Sequence, residues 1–222
     1  MTSSQSPSSA TASFLGLPNE IRNRIYKTVL TISHPIHLFQ DPGSAVASFA
    51  PDRPPHWLAI LHTNRQIHAE SSAILYTENH FHFVDITGQQ VVVLRSFLDR
   101  IGSTNAASLS HLCINFPVAE SMDDQPGSVR LKDHSLQSLQ LLQDRCTNLS
   151  TLETLVHHKN SRFFTRTDDF LREAFSQIDA QLKAIHSLKR VIVRVEVDDN
   201  IPMTPARDLM QRVWMASLVW QE

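Results

Sequence analysis

Leu188-Lys189-Arg190-Val191-Ile192-Val193-Arg194-Val195 is the last of three similar pieces, and their shared pattern decides the fold. Leu109-Ser110-His111-Leu112-Cys113-Ile114 comes first and runs on to Phe116. Leu149-x-x-Leu152-x-x-Leu155 is the second. Their first leucines lie 40 and 39 residues apart. Short apolar runs of this kind predict strands over 110–116, 151–157 and 190–197. A helical pattern fills each interval. His134–Cys146 carries Leu136, Leu139 and Leu142. Asp168–His186 carries Leu171, Ala174, Phe175, Ile178, Leu182 and Ile185, the cleanest helical stripe in the chain. Strands alternating with helices argue for an α/β fold in which the three strands are parallel neighbours. Self-similarity at this period suggests repeated strand–helix units, an irregular leucine-rich-repeat-like stack. An ordinary open α/β layer is the alternative.

The same alternation extends outward. His80-Phe81-His82-Phe83-Val84-Asp85-Ile86 reads as a strand, and Gln89–Ile101 as a helix with Gly102 at its C-terminal cap. A final helix starts at Thr204-Pro205 and runs through Met210, Val213 and Trp214. Nearer the start, Pro18 opens an amphipathic helix over 18–31. Leu17, Ile21, Ile25 and Val29 form its apolar stripe, with Tyr26 and Leu30 beside them. Arg22, Asn23 and Lys27 take the other face. Residues 33–56 hold five prolines and read as a long loop with a short extended piece at Ile36–Phe39. A second helix follows over 57–76. The expected division is a disordered tail at 1–13, rich in Ser and Thr, a helical region at 14–79, and an α/β region at 80–222.

Composition excludes several classes. The chain has 222 residues, 41% of them hydrophobic and 19% charged, enough apolar material for a core. Lys plus Arg is 20 against 22 for Asp plus Glu, so no global field attracts nucleic acid or an anionic membrane. No stretch has the length of a membrane-spanning helix. The two cysteines, Cys113 and Cys146, lack metal-type spacing and read as buried, reduced thiols, as expected in the cytoplasm or nucleus.

Catalytic chemistry is not spelled out. The five glycines leave no phosphate-binding loop after turns and caps are assigned, and no nucleophile elbow or His-Glu-x-x-His occurs. Twelve histidines raise a metal hypothesis. His80 and His82 share one side of a strand, while His157 and His158 face opposite ways. Two converging ligands are fewer than zinc needs, so no metal, no cofactor and no catalytic residue is expected. Asp123-Asp124, Asp168-Asp169 and Asp198-Asp199 read as loops or helix starts rather than acid–base pairs.

Leu17-Pro18-Asn19-Glu20-Ile21-Arg22-Asn23-Arg24-Ile25-Tyr26-Lys27-Thr28-Val29-Leu30 resembles the opening of an F-box, in the Ile-Arg-Asn-x-Ile-Tyr version of a group of filamentous-fungal F-box-like proteins. Leu58–Glu70 is similar to the second segment of that group. Tyr76-Thr77-Glu78-Asn79-His80-Phe81-His82-Phe83 is similar to its Tyr-x-Glu-Asn-x-Phe-x-Phe piece. The Pro-rich loop at 33–56 separates the two helices further than in a conventional F-box. The resemblance implies an N-terminal helical pair and a non-catalytic, protein-recognition function: substrate recognition for a cullin-type ubiquitin ligase, through a Skp-family adaptor. It implies adaptor contacts by Leu17, Pro18, Glu20, Ile21, Ile25 and Leu30. A scaffold unrelated to ubiquitin, or an enzyme using the histidine-rich loops, are the alternatives.

Overall fold

A computed structural model describes residues 13–41, 43–51, 53–83, 88–122, 128–196, 204–213 and 218–221. The chain runs α1 (Asn19–Leu30), β1 (Ile36–Phe39), β2 (Ala47–Phe49), α2 (Arg65–Glu78), β3 (His80–His82) and α3 (Gln90–Ser108). It continues through β4 (His111–Asn115), β5 (Ala119–Ser121), β6 (Val129–Leu131), α4 (Asp133–Arg145), β7 (Thr151–His157) and α5 (Asp168–Ala184). It ends with β8 (Arg190–Glu196), α6 (Thr204–Val213) and β9 (Leu218–Gln221). The fold is α/β with a largely parallel sheet of order β2-β1-β3-β4-β7-β8-β9. Among the described residues of that sheet, only the β1–β2 hairpin at one edge is antiparallel. A separate two-stranded ribbon, β5–β6, lies between β4 and α4 in the chain.

The three sequence repeats are β4, β7 and β8, which are parallel neighbours. Each first leucine marks the turn from helix to strand. The Leu109, Leu149 and Leu188 N–H groups each donate to a carbonyl three residues earlier, on Ala106, Cys146 and Ile185. The strand starts repeat as well. Ser110 O accepts from Ser150 N and Thr151 N, and Ser150 O accepts from Lys189 N and Arg190 N. From β3 onward the strand order runs in one direction, and right-handed crossovers then put successive helices on one face. Each helix accordingly touches the next, from α1 through α6.

In-register rows share a face. Phe81, Leu112, Leu152 and Val191 form one row toward the helices, and Ile114 and Val193 belong to the same buried cluster. Cys113, Leu155 and Ile192 are also buried but lie outside that cluster, on the opposite face. The α5 stripe is core as expected: Leu171, Ala174, Phe175, Ile178, Leu182 and Ile185 are all buried.

Three expectations change. The 33–56 loop holds a hairpin, and β1 pairs with β3, so the sheet continues across residue 80. The helix over 57–76 is broken: a 3-10 turn spans Ala59–His62, and α2 begins after Asn64, whose side chain caps Gln66 N. A local cap overrides the apolar spacing. Gly102 interrupts α3 as expected of a cap, with φ 80°, but the helix resumes to Ser108. Within the described residues β3 stops at His82. The expected ends of that strand, of the third repeat and of the final helix, and the tail at 1–12, lie outside them.

Asn79 joins the two N-terminal helices. Its Nδ2 donates to Leu30 O and Leu75 O, each at 2.9 Å, and its Oδ1 accepts from Ile32 N at 2.8 Å. Two helix C-termini and the segment leaving α1 are thereby satisfied by one buried amide. Asn79→Ala leaves those groups to water or to nothing. We expect a loss of about 1–3 kcal/mol, read from urea unfolding.

Candidate functional site

The inward side of α1 is not its expected stripe. Arg22, Tyr26 and Leu30, spaced by four, are the buried residues. Arg22 is buried because Glu70 on α2 answers it: Nε donates to Oε2 at 2.8 Å and Nη2 to Oε1 at 2.6 Å. Its Nη1 also donates to Leu17 O at 2.5 Å. Tyr26 Oη donates to the same carboxylate at 2.9 Å. The Arg22 guanidinium, helped by Gln66, pulls the Glu70 carboxyl down to about 2. Helical spacing alone puts Arg22 in solvent; the partner that buries it lies 48 residues away in sequence.

The candidate contact residues therefore divide. Pro18, Glu20 and Ile21 are exposed, and Leu17 and Ile25 are half-buried. Leu30 has no exposed surface and belongs to the core, a correction to its assignment as a contact. Outward, Ile21 is 39% and Val29 40% exposed, with Ile25 between them at the same four-residue spacing.

A second constellation occupies the sheet face turned away from the helices. There β3 supplies His80 and His82, β4 supplies His111 and Cys113, β7 supplies Glu153 and β8 supplies Arg194. The register sets His80 beside His111, and Cys113 beside His82 and Glu153. The His80 and His111 rings stack at 3.9 Å, 4° from parallel. Glu153 Oε1 lies 2.8 Å from His111 Nε2, and Oε2 accepts from Arg194 Nε at 2.6 Å. Its side chain is 3% exposed. Burial raises the Glu153 pKa, but hydrogen bonds from His111 and Arg194 outweigh it and bring the value to about 2. His80 and His82 are held neutral, each near 4. Burial is the main cause, then repulsion from His111 and His37 respectively. His82 Nδ1 sits 2.9 Å from His37 Nδ1 on β1.

This grouping corrects the count of two converging histidines. The signal is present in the sequence: aligning the three leucine repeats puts Cys113 and Glu153 in one row on the face opposite Leu112 and Leu152. Both cysteines are free and buried, as expected. Burial pushes the Cys113 thiol well up and His80 down, so the two are a neutral thiol and a neutral imidazole rather than a thiolate–imidazolium pair. His157 is buried at the end of β7, and His158 is exposed.

A third feature is a cleft of about 590 Å³ at the C-terminal ends of β4 and β7. Lys132, Lys159, Arg162 and Arg166 give it a basic lining, with Phe163 and Phe170 on its apolar side. The Arg166 guanidinium lies 4.6 Å over the Phe170 ring and donates to Ser121 Oγ at 2.8 Å. The Asp123-Asp124 and Asp198-Asp199 pairs lie outside the described residues, and Asp168-Asp169 open α5 in solvent. No helix among the described residues is long and apolar enough to cross a membrane. No protein-family model, curated protein or solved structure matches this chain.

Proposed function

We propose that the protein is a non-catalytic recognition module that docks a helical partner on the outer ridge of α1. The observation that carries this reading is the row of exposed Ile21 and Val29 with half-buried Ile25 between them, and Leu17 and Pro18 at its start. Apolar residues at four-residue spacing suit helix-on-helix contact. The F-box resemblance supports the same reading and divides between two jobs. Arg22, Tyr26, Glu70 and Asn79 hold the helical pair together, while Pro18, Glu20, Ile21 and Ile25 remain for a partner. The partner is then a Skp-family adaptor of a cullin-type ubiquitin ligase, in the cytoplasm or nucleus, and the repeated strand–helix units hold a substrate protein. Nucleic acid and membrane are not partners in this reading.

Ile21→Asp tests it. The charge would sit where the contact must be dry, yet Ile21 is exposed enough that the fold should tolerate it. Binding of the purified protein to the adaptor should weaken tenfold or more, about 1.4 kcal/mol, with the thermal midpoint unchanged. If the wild-type chain fails to bind the adaptor at tens of micromolar, the ubiquitin reading is wrong. A scaffold using the same ridge would then replace it.

A further inference from the structure

The geometry points to a transition-metal site, of the kind that takes zinc, formed by His80, Cys113 and Glu153 on the sheet face away from the helices. One ring nitrogen of His80, the Cys113 sulfur and one Glu153 oxygen all lie within 4.8 Å of one another. The three come from adjacent strands β3, β4 and β7, so the sheet ladder holds their backbones rigidly. The site is independent of α1 and of any adaptor.

Two further observations single it out. His80 Nε2 is buried and has no hydrogen-bond partner. It lies 4.0 Å from Glu153 Oε2, too far for a hydrogen bond. A buried polar atom left in this way calls for an explanation, and a bound ion is one of the common ones. The support of the neighbouring groups also fits. The His80 ring is fixed by stacking on His111, and the other Glu153 oxygen is held by His111. Ligands oriented by outer partners in this manner are usual for metal centres.

The donor set selects the metal class. A sulfur, an imidazole nitrogen and a carboxylate suit zinc or cobalt and not magnesium or calcium. Around a tetrahedral zinc the donors sit about 3.3–3.7 Å apart, given bonds of about 2.0–2.3 Å. The observed spread therefore has to contract by about 1 Å, within the reach of side-chain rotation. A neutral imidazole offers a lone pair directly. The thiol must release its proton to solvent on binding, so affinity rises with pH. Arg194 neutralises Glu153 when the metal is absent, and its side chain is 43% exposed, so it can turn out to water. A fourth position remains for water or for His82.

The test is titration of the chelator-treated, full-length protein with cobalt(II), followed by zinc competition. One equivalent of cobalt should give a thiolate charge-transfer band, and zinc should displace it and raise the thermal midpoint. Cys113→Ser and His80→Ala should each abolish the band, while Cys146→Ser keeps it. His111→Ala, which removes the support of Glu153 and the stacking on His80 but no ligand, should weaken binding about 10–100-fold. Arg194→Gln should tighten binding, because it removes the competing cation. Circular dichroism checks each variant. If Cys113→Ser does not fold, His80→Ala and Glu153→Gln read the same loss. No band in the wild-type protein at excess cobalt, or a band that survives His80→Ala, overturns the site.

Discussion

Phe175→Ala should lower stability by about 3–5 kcal/mol, the cost of an aromatic core truncation that leaves a cavity. Phe175 has no exposed surface. It lies on the inner side of α5 between Leu171 and Ile178, and its ring centroid sits 6.0 Å from Phe163 and 6.3 Å from Phe164. Those two rings belong to the 3-10 turn that follows β7 and also meet Phe116 after β4. The cavity would therefore open where α5, that turn and the end of β4 converge. The sheet holds the ends of β4 and β7 in register, so the walls cannot collapse to refill it. For a domain of this size the thermal midpoint should fall by about 6–20 °C. The urea slope should stay constant, since the surface exposed on unfolding is the same. An unchanged midpoint would mean that this aromatic cluster does not form the core.

Mild acid should have the second large effect. His80 and His82 titrate near 4 in the folded chain, against 6.5 when unfolded. Below 6.5 the unfolded chain takes up protons that the folded one refuses. Stability is then full above 6.5 and falls as the pH drops toward 4. Each tenfold difference in proton affinity between the two states is worth about 1.4 kcal/mol, and solvent screening of these partly exposed rings brings the pair to about 2–4 kcal/mol. The carboxyls of Glu70 and Glu153, both near 2, contribute in the other window: their support is present above 4.5 and is lost toward 2. Unfolding midpoints between pH 6.5 and 4.5, in chelator, therefore isolate the histidines. His82→Gln should flatten part of the slope. A wild-type midpoint that is level over this range would mean that folding leaves the two imidazoles as basic as in the unfolded chain.

The parallel strands were legible because the repeats carry their information locally. Leu109, Leu149 and Leu188 mark the same turn three times, and the alternation after each names the buried face. The α5 stripe was legible for the same reason. The side chains of α1 were not, because Arg22 is buried only through Glu70, 48 residues on. Helical spacing ranks residues by hydropathy and cannot anticipate a charge that finds its partner on another helix. The His80, Cys113 and Glu153 group was half legible. Strand alternation gives its face and the leucine repeats set Cys113 beside Glu153, but the register of β3, which brings His80 to them, has no such signature.

The one-directional winding also bears on how the chain acquires its structure during synthesis. After the hairpin, every described strand of the large sheet finds its partner already made when it emerges from the ribosome, one unit behind it. β7 needs only β4, and β8 needs only β7. No strand waits for a distant later segment to be slotted between it and its neighbour. The sheet can grow vectorially, with the newest strand as its growing edge and the helix just completed as its cover.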